Sequence, residues 1–410
     1  MAQGESYAFP ERTPAPMKIG FDISQTGLKK TGCGHFALSL IRHLTKTDTQ
    51  NTYLLYPTFG DAFWDPGWPT QTVRFAQPNL KIAKGHGSLL EAKNFWNHPP
   101  ANLEAELGHP EVIHSNNFFC PVRLRQAKLV YTFYDFSFVE HPEWVAEETR
   151  SFCFDGIFNA SLYADLIFTI SEASRKQFLE LFPHYPDNHI AAVYPASRFQ
   201  FEPGLKQPES LGLLQPNQFW FNVGTLEPKK NQIRLIQAYA RLKNNQGDSF
   251  PLVLAGKDGG DLQNIRKLLQ ELRLEKDVIL LNYVSDTDIP WLYQNCFAFV
   301  FPSLFEGFGL PLLEAMALGA PVISSNNSCI PEITGEAALL VDAYREEEIT
   351  EAMRLLASGE IKREILRDRG FRRARNFSWE KTARETLDCY DRVLAGDKLS
   401  TKALYSSITS

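Results

Sequence analysis

Apolar residues along this chain fall into short runs separated by stretches of helical spacing. Residues 18–24 (KIGFDIS) read as a first strand, and a loop carrying Gly27, Gly32 and Gly34 comes next. A helix is then expected from His35 (HFALSLIRHLTK), where Leu38, Ile41 and Leu44 recur at a spacing of three. Further strands are expected at 112–114 (VIH), 129–133 (LVYTF) and 166–170 (LIFTI). Short apolar runs alternating with helical pattern predict a mostly parallel sheet, because crossover helices then cover both of its faces.

Residues 202–218 (EPGLKQPESLGLLQPNQ) are rich in Pro, Gly and polar side chains and break this rhythm. The alternation then restarts. Strands are expected at 219–225, 251–256, 278–282, 297–301 and 321–325, and helices at 231–242, at 262–274, around Trp291 and Tyr293, and from Pro311. The pattern divides the chain into a tail (1–16), a first α/β domain (17–204), a linker (205–218), a second α/β domain (219–378), a final helix (379–395) and a second tail (396–410).

Composition narrows the functional classes. Of 410 residues, 44% are hydrophobic and 22% charged, which fits a folded protein. A net charge of −6 disfavours a partner that presents a phosphate backbone, so no nucleic acid is expected. The six cysteines are scattered and form no Cys-x-x-Cys pair, which argues against a zinc site and a disulfide scaffold. No apolar stretch reaches the length of a membrane span, and residues 1–16 lack the apolar segment of a signal peptide, so a cytoplasmic location is expected.

The densest chemistry lies at 297–341, which reads strand, loop, helix, strand. Pro311 suits a first helical position and Gly319 a left-handed cap at the helix end. Gly307 and Gly309 let backbone approach a bound group, and the N–H groups of 308–312, including those of Phe308 and Leu310, are expected to point outward at the carboxyl end of a strand. In an open α/β sheet that is a ready anion site. Glu306 and Glu314 frame it. Acids beside a phosphate cradle make sense when the ligand also offers hydroxyls, as a nucleotide sugar does. In GTLEPKKN (224–231), Lys229 and Lys230 are expected at a helix start, where the dipole disfavours cations unless an anion lies near.

The string FEGFGLPLLEAMALGAPVISSN (305–326), with CIPEITGEAALLVD (329–342) after it and NYVSDTDIPWLYQNC (282–296) before it, resembles the donor-site signature of retaining glycosyltransferases of the GT-B fold, the family 4 or group 1 type. The resemblance is strong over 219–342 and weaker over 18–170. It implies two Rossmann-like domains facing across a cleft, with the donor held by the second domain, the acceptor mostly by the first, and the final helix crossing back. In that family a basic residue directly after the glycine and a lysine six after it contact the donor phosphates. Here Thr225 holds the first position and Lys230 the second, with Lys229 available to replace the missing charge. The family's first glycine loop faces the diphosphate, which nominates Gly32 and Gly34. Relatives carry His-Asp where this chain has Tyr134 and Asp135; Tyr134 is left with a hydroxyl contact, and His114 and His141 are weighed for the missing histidine.

The family likeness implies transfer of a hexose, mannose or glucose foremost, from a GDP- or UDP-sugar to a hydroxyl of a glycan or lipid-linked acceptor, as in cell-surface polysaccharide synthesis. Lys229, Lys230 and the backbone of 308–310 neutralise the leaving diphosphate. Glu306 holds the sugar, Glu314 the ribose, and Tyr283, Val284 and Ser285 the base. No cofactor or metal is expected, since these groups already balance the charge. Membrane contact at the first domain is compatible with this reading. The competing readings are a sugar-nucleotide epimerase of the same fold and a non-catalytic sugar-nucleotide binder.

Overall fold

The computed structural model describes residues 15–27, 30–61, 77–246 and 250–396. The expected tails, apart from residues 15, 16 and 396, lie outside the described residues. Seven parallel strands form the first sheet: β1 (Lys18–Asp22), β2 (Thr52–Tyr56), β3 (Leu80–Ile82), β4 (Val112–Ser115), β5 (Lys128–Phe133), β6 (Leu166–Thr169) and β7 (Ile190–Ala192), in the order β3-β2-β1-β4-β5-β6-β7. Six more form the second: β8 (Trp220–Val223), β9 (Leu252–Ala255), β10 (Val278–Leu280), β11 (Ala298–Phe301), β12 (Val322–Ser325) and β13 (Ala338–Val341), in the order β10-β9-β8-β11-β12-β13.

Each sheet reverses its strand order once, between β1 and β4 and between β8 and β11. Ligands of open α/β sheets bind outside the carboxyl ends of strands at such switch points. The loops that leave β1, β4, β8 and β11 are those that carry the glycine turn, Asn116 and Asn117, the two lysines, and Glu306. The strands sit in near-continuous burial: every residue of β4, β6, β9, β11 and β12 is buried, as parallel strands covered on both faces must be.

The pattern did not announce β2, β3, β7 or β13. β3 is a three-residue edge strand with two exposed positions, and β7 is Ile-Ala-Ala, so neither has the length or apolar weight to stand out. The aromatic run from Phe118 to Phe182 is mostly core: Phe133, Phe136, Phe138, Phe178 and Phe182 pack in one buried cluster behind the first sheet.

The final helix, Trp379–Ala395, starts at a Ser378 cap and packs against the Gly32–Thr47 helix and β5, on the first sheet. Its Tyr390 hydroxyl lies 2.5 Å from Nδ1 of His114, whose Nε2 lies 2.7 Å from Thr132 Oγ1. Burial pushes His114 down to about 3, so the ring is neutral and needs one donor and one acceptor. Tyr390→Phe leaves a buried ring nitrogen unpaired. The expected loss of stability is about 1–3 kcal/mol, read from urea denaturation. An unchanged midpoint would show that the pair does not pin the helix.

Candidate active site

The site is assembled from the ends of both sheets. β8 runs into Gly224, with φ +158°, and β9 into Gly256, with φ +157°. A Cβ on Gly256 would sit 1.8 Å from the Gly224 carbonyl oxygen, so only glycine lets these two strand ends close together. Lys229 and Lys230 lie in a single 3₁₀ turn, Pro228–Lys230, and left-handed Asn231 (φ +61°) separates it from the helix Gln232–Gln246. This corrects the sequence expectation: the lysines precede the helix start rather than opening it, and the turn aims them toward the β11 loop.

In that loop Lys230 Nζ lies 2.6 Å from Glu306 Oε1, and Ser303 Oγ donates to the same oxygen at 2.7 Å. Glu306 is 8% exposed. Gly309, at φ +83°, begins the helix Leu310–Ala317, with Pro311 in its first turn and left-handed Gly319 just past its end. Leu312 N–H donates to the Gly309 carbonyl, so the outward donors narrow from 308–312 to the residues ahead of Pro311. Phe308 is buried in the core, near Tyr194 and Phe377.

The first sheet meets this loop closely. A Cβ on Gly307 would come within 2.7 Å of the Tyr134 carbonyl oxygen, and the Gly307 carbonyl accepts from Ser171 Oγ at 2.7 Å and Ser174 Oγ at 3.2 Å. Gly307 thus also lets the 134–135 loop approach, a close contact between the two halves that the sequence reading did not foresee. Asp135 lies 3.6 Å from Lys229 Nζ, which also donates to Ser137 Oγ at 3.3 Å. Burial works to raise Asp135, but Lys229 and the bonds from Ser137 outweigh it and hold the carboxyl below its ordinary range. Burial likewise opposes the Lys229 ammonium, and Asp135, Glu306 and Glu227 together hold it above its ordinary value. Both charges persist near neutrality.

Gly32 and Gly34 sit inside the first turn of the helix Gly32–Thr47, not before it, because the helix starts after an N-cap at Thr31, three residues ahead of the expected start at His35. Gly32 has open space around it, whereas a Cβ on Gly34 would strike the Gln25 carbonyl oxygen at 2.1 Å. Gly34→Ala therefore forces the β1 loop off the helix start; the expected loss is about 2–4 kcal/mol, measurable as a lowered thermal midpoint, and a neutral substitution would contradict that contact.

Glu314 is 2% exposed. Arg198 Nε donates to its Oε1 at 2.6 Å, and the Tyr293 hydroxyl to its Oε2 at 3.3 Å. Burial raises this carboxyl above its ordinary value, with Arg198 and Tyr293 acting against that rise. Arg198 comes just after β7 and also reaches Asp286 Oδ1 at 2.9 Å and the His35 ring. Sequence reading missed Arg198, Asp286 and His35. The missing signal was β7 itself: an arginine just beyond a strand's carboxyl end belongs to the binding edge, but the strand had not been recognised. Asp286 shares its loop with Tyr283, which is 66% exposed, and Val284; Thr225 packs beside Gly259 and accepts from Gln232 through its carbonyl.

Tyr134 requires a second correction. It is buried between Phe36 and Phe118, and its hydroxyl donates to the Asn116 carbonyl at 2.8 Å, so it offers the cleft no free hydroxyl. Neither histidine weighed in its place stands there: His114 is sealed beneath the final helix, and His141 stacks on Trp144.

The arrangement joins two amines, one guanidinium, two helix starts and four carboxylates where the sheets face each other, a set suited to a ligand that is anionic in its middle and rich in hydroxyls at its ends. The sequence profile described as glycosyl transferases group 1 matches residues 206–373. O-antigen chain mannosyltransferase B of Escherichia coli is 32% identical over 393 residues, which cover 91% of this chain and 99% of that protein. Serotype-specific mannosyltransferase WbdA of Escherichia coli is 31% identical over 260 residues, 60% of this chain and 31% of that one. Among solved structures, Anabaena Alr3699/HepE in complex with UDP-glucose has a TM-score of 0.67 at 19% identity, covering 91% of this chain and 99% of that chain. Sucrose-phosphate synthase from Thermosynechococcus elongatus also has a TM-score of 0.67, at 20% identity, covering 93% of this chain and all of the other. These two likenesses speak for the two-sheet GT-B fold; the identity running along nearly the whole of the mannosyltransferase shows that the chain belongs to the group 1 glycosyl transferases.

Proposed function

We propose that this glycosyltransferase moves a mannosyl residue, with retention at the anomeric carbon, from a nucleoside-diphosphate mannose to a hydroxyl of a glycan or lipid-linked acceptor during O-antigen-type polysaccharide synthesis. The observation that carries this reading is the identity along almost all of both chains with O-antigen chain mannosyltransferase B. The geometry supports the chemistry. Glycosyl transfer builds negative charge on the leaving diphosphate, and preorganised donors in a partly dry cleft stabilise it. Lys230, Lys229 and the backbone of Gly309 and Leu310 supply them. Glu306 takes the sugar hydroxyls and faces the cationic side of the sugar ring. Glu314 takes the ribose, and the exposed Tyr283 stacks on the base.

Asp135, kept ionised beside Lys229, is the acid that the first sheet brings to the lysine pair. Among the described residues no helix is long and apolar enough to cross a membrane. A nucleotide-sugar donor is a solute of the cytoplasm, and the reaction takes place there, reaching lipid-linked acceptors at the inner membrane face. Because amines and helix N–H groups balance the diphosphate, turnover proceeds without a divalent ion.

A panel of nucleotide sugars tests the donor. GDP-mannose should raise the thermal midpoint most, since a ligand that binds only the folded state stabilises it, and acceptor-dependent release of GDP should accompany it. A midpoint raised by UDP-glucose alone would overturn the sugar assignment. Chelation with EDTA should leave the rate unchanged, and its loss would overturn metal independence.

A further inference from the structure

Arg198 holds the most connected charge in the cleft, and the donor assignment gives it no task. Its guanidinium touches three elements at once: Glu314 on the Leu310–Ala317 helix, Asp286 in the loop after β10, and His35 in the first turn of the Gly32–Thr47 helix. Burial and the neighbouring Arg198 push His35 down to about 3, so the ring is neutral and offers a lone pair to an arginine N–H. His35 and Asp286 thus hold the guanidinium through one nitrogen, Nη1, and its Nε is left for Glu314.

An ionised carboxylate has about four acceptor directions. In Glu314, Arg198 takes one on Oε1 and Tyr293 one on Oε2. We propose that Arg198 is a positioning residue for the donor: together with Tyr293 it locks the plane of the Glu314 carboxylate, leaving one acceptor direction on each oxygen for the vicinal 2′- and 3′-hydroxyls of the ribose. This rests on Glu314 as the ribose acceptor and adds the residue that makes it work. Without the guanidinium, a carboxylate this deeply buried has only a long hydroxyl bond to fix its plane and no counter-charge, and it takes up a proton, which turns one acceptor into a donor. A free diol then meets an unfixed, partly neutral acid.

The alternative is that Arg198 only straps the two sheets together. Ribose discrimination separates the two. Calorimetry with GDP and 2′-deoxy-GDP, and with UDP and 2′-deoxy-UDP, gives the affinity ratio that the 2′-hydroxyl contributes. For the wild-type protein that ratio should be about 10 or more for the preferred base, because a site built to bond a hydroxyl rejects the analogue lacking it. Arg198→Gln should weaken the nucleoside diphosphate about 10- to 100-fold and bring the ratio close to one, since a hydrogen bond to a charged group is lost. Arg198→Lys keeps the charge but not the fork, and should recover part of the ratio. The donor KM should rise more than kcat falls.

Glu314→Gln is the control for the ribose assignment itself. If it retains the full ratio, the ribose assignment of Glu314 fails. If it flattens the ratio while Arg198→Gln keeps it, the positioning role is overturned and Arg198 is a strap. Loss of folding in both Arg198 variants, monitored by circular dichroism, would assign the strap role directly.

Discussion

Glu306→Gln is expected to lower kcat about 10³-fold while leaving nucleoside-diphosphate affinity unchanged or higher, a loss of about 4 kcal/mol at the transition state. The split comes from the contacts. Glutamine keeps the shape of the side chain and can still accept from Ser303, so the β11 loop has no reason to move. What disappears is the negative charge beside Lys230 and the strongest acceptor facing the sugar. Charge that forms on the sugar only during transfer then goes unmet, which reduces turnover more than binding. The Lys230 ammonium, released from its carboxylate, turns wholly to the diphosphate. An unchanged kcat would remove Glu306 from the reaction, and a lowered thermal midpoint would place it in the scaffold instead.

The second half of the fold could be read from sequence because its signals are local and redundant. Gly309, Pro311 and Gly319 fix the start and end of one helix, and β11 and β12 on either side are buried at every position. The first half gave less. β2 lies behind a long helix with no punctuating glycine, β3 has two exposed positions out of three, and β7 is only Ile-Ala-Ala, so neither β3 nor β7 carries the apolar weight that marked the equally short β10.

The same limit explains the site. Lys230 and Glu306 were named from the segments around them, and the structure places them 2.6 Å apart although 76 positions separate them. Their partnership could not be read from either segment, because contact across a sheet depends on strand order. Tyr134 was misplaced for a related reason. Sequence shows that a residue ends a strand, but which way its side chain leaves depends on the pleat, and here the phenol turns into the core beneath Asn116. Arg198 was missed altogether, since its three partners come from three separate elements.

The sheets are joined by more than the connector. Glu332, from the second half, accepts from the Glu172 and Ala173 N–H groups at 2.7 and 3.0 Å, capping a helix of the first half at its positive end. Ser171 and Ser174 grip the Gly307 carbonyl beside it. Glu306 is thus the residue just before the point where the two halves touch, so its position depends on the approach of the first sheet. A change that loosens Ser171 or Ser174 should reach the reaction through Glu306 without touching the donor.

Lys230→Ala gives the second large effect. It is expected to weaken nucleoside-diphosphate binding about 100-fold, more than the loss of one charge-assisted hydrogen bond alone. The excess comes from Glu306. With the ammonium gone, this carboxylate, 8% exposed, keeps only Ser303 as a hydrogen-bond partner and shares Lys229 with Asp135, so it stands as a poorly compensated negative charge beside the position of the diphosphate. Repulsion then adds to lost attraction. The double variant Lys230→Ala, Glu306→Gln removes that repulsion and should bind about tenfold more tightly than Lys230→Ala alone, a non-additivity that residues in direct contact show and distant ones do not. Calorimetry with the preferred nucleoside diphosphate measures the wild type, the two single variants and the double variant. If Lys230→Ala binds as tightly as the wild type, the phosphate lies elsewhere. If the two changes simply add, the carboxylate and the ammonium do not share the diphosphate, and the cradle must be built from Lys229 and the helix start alone.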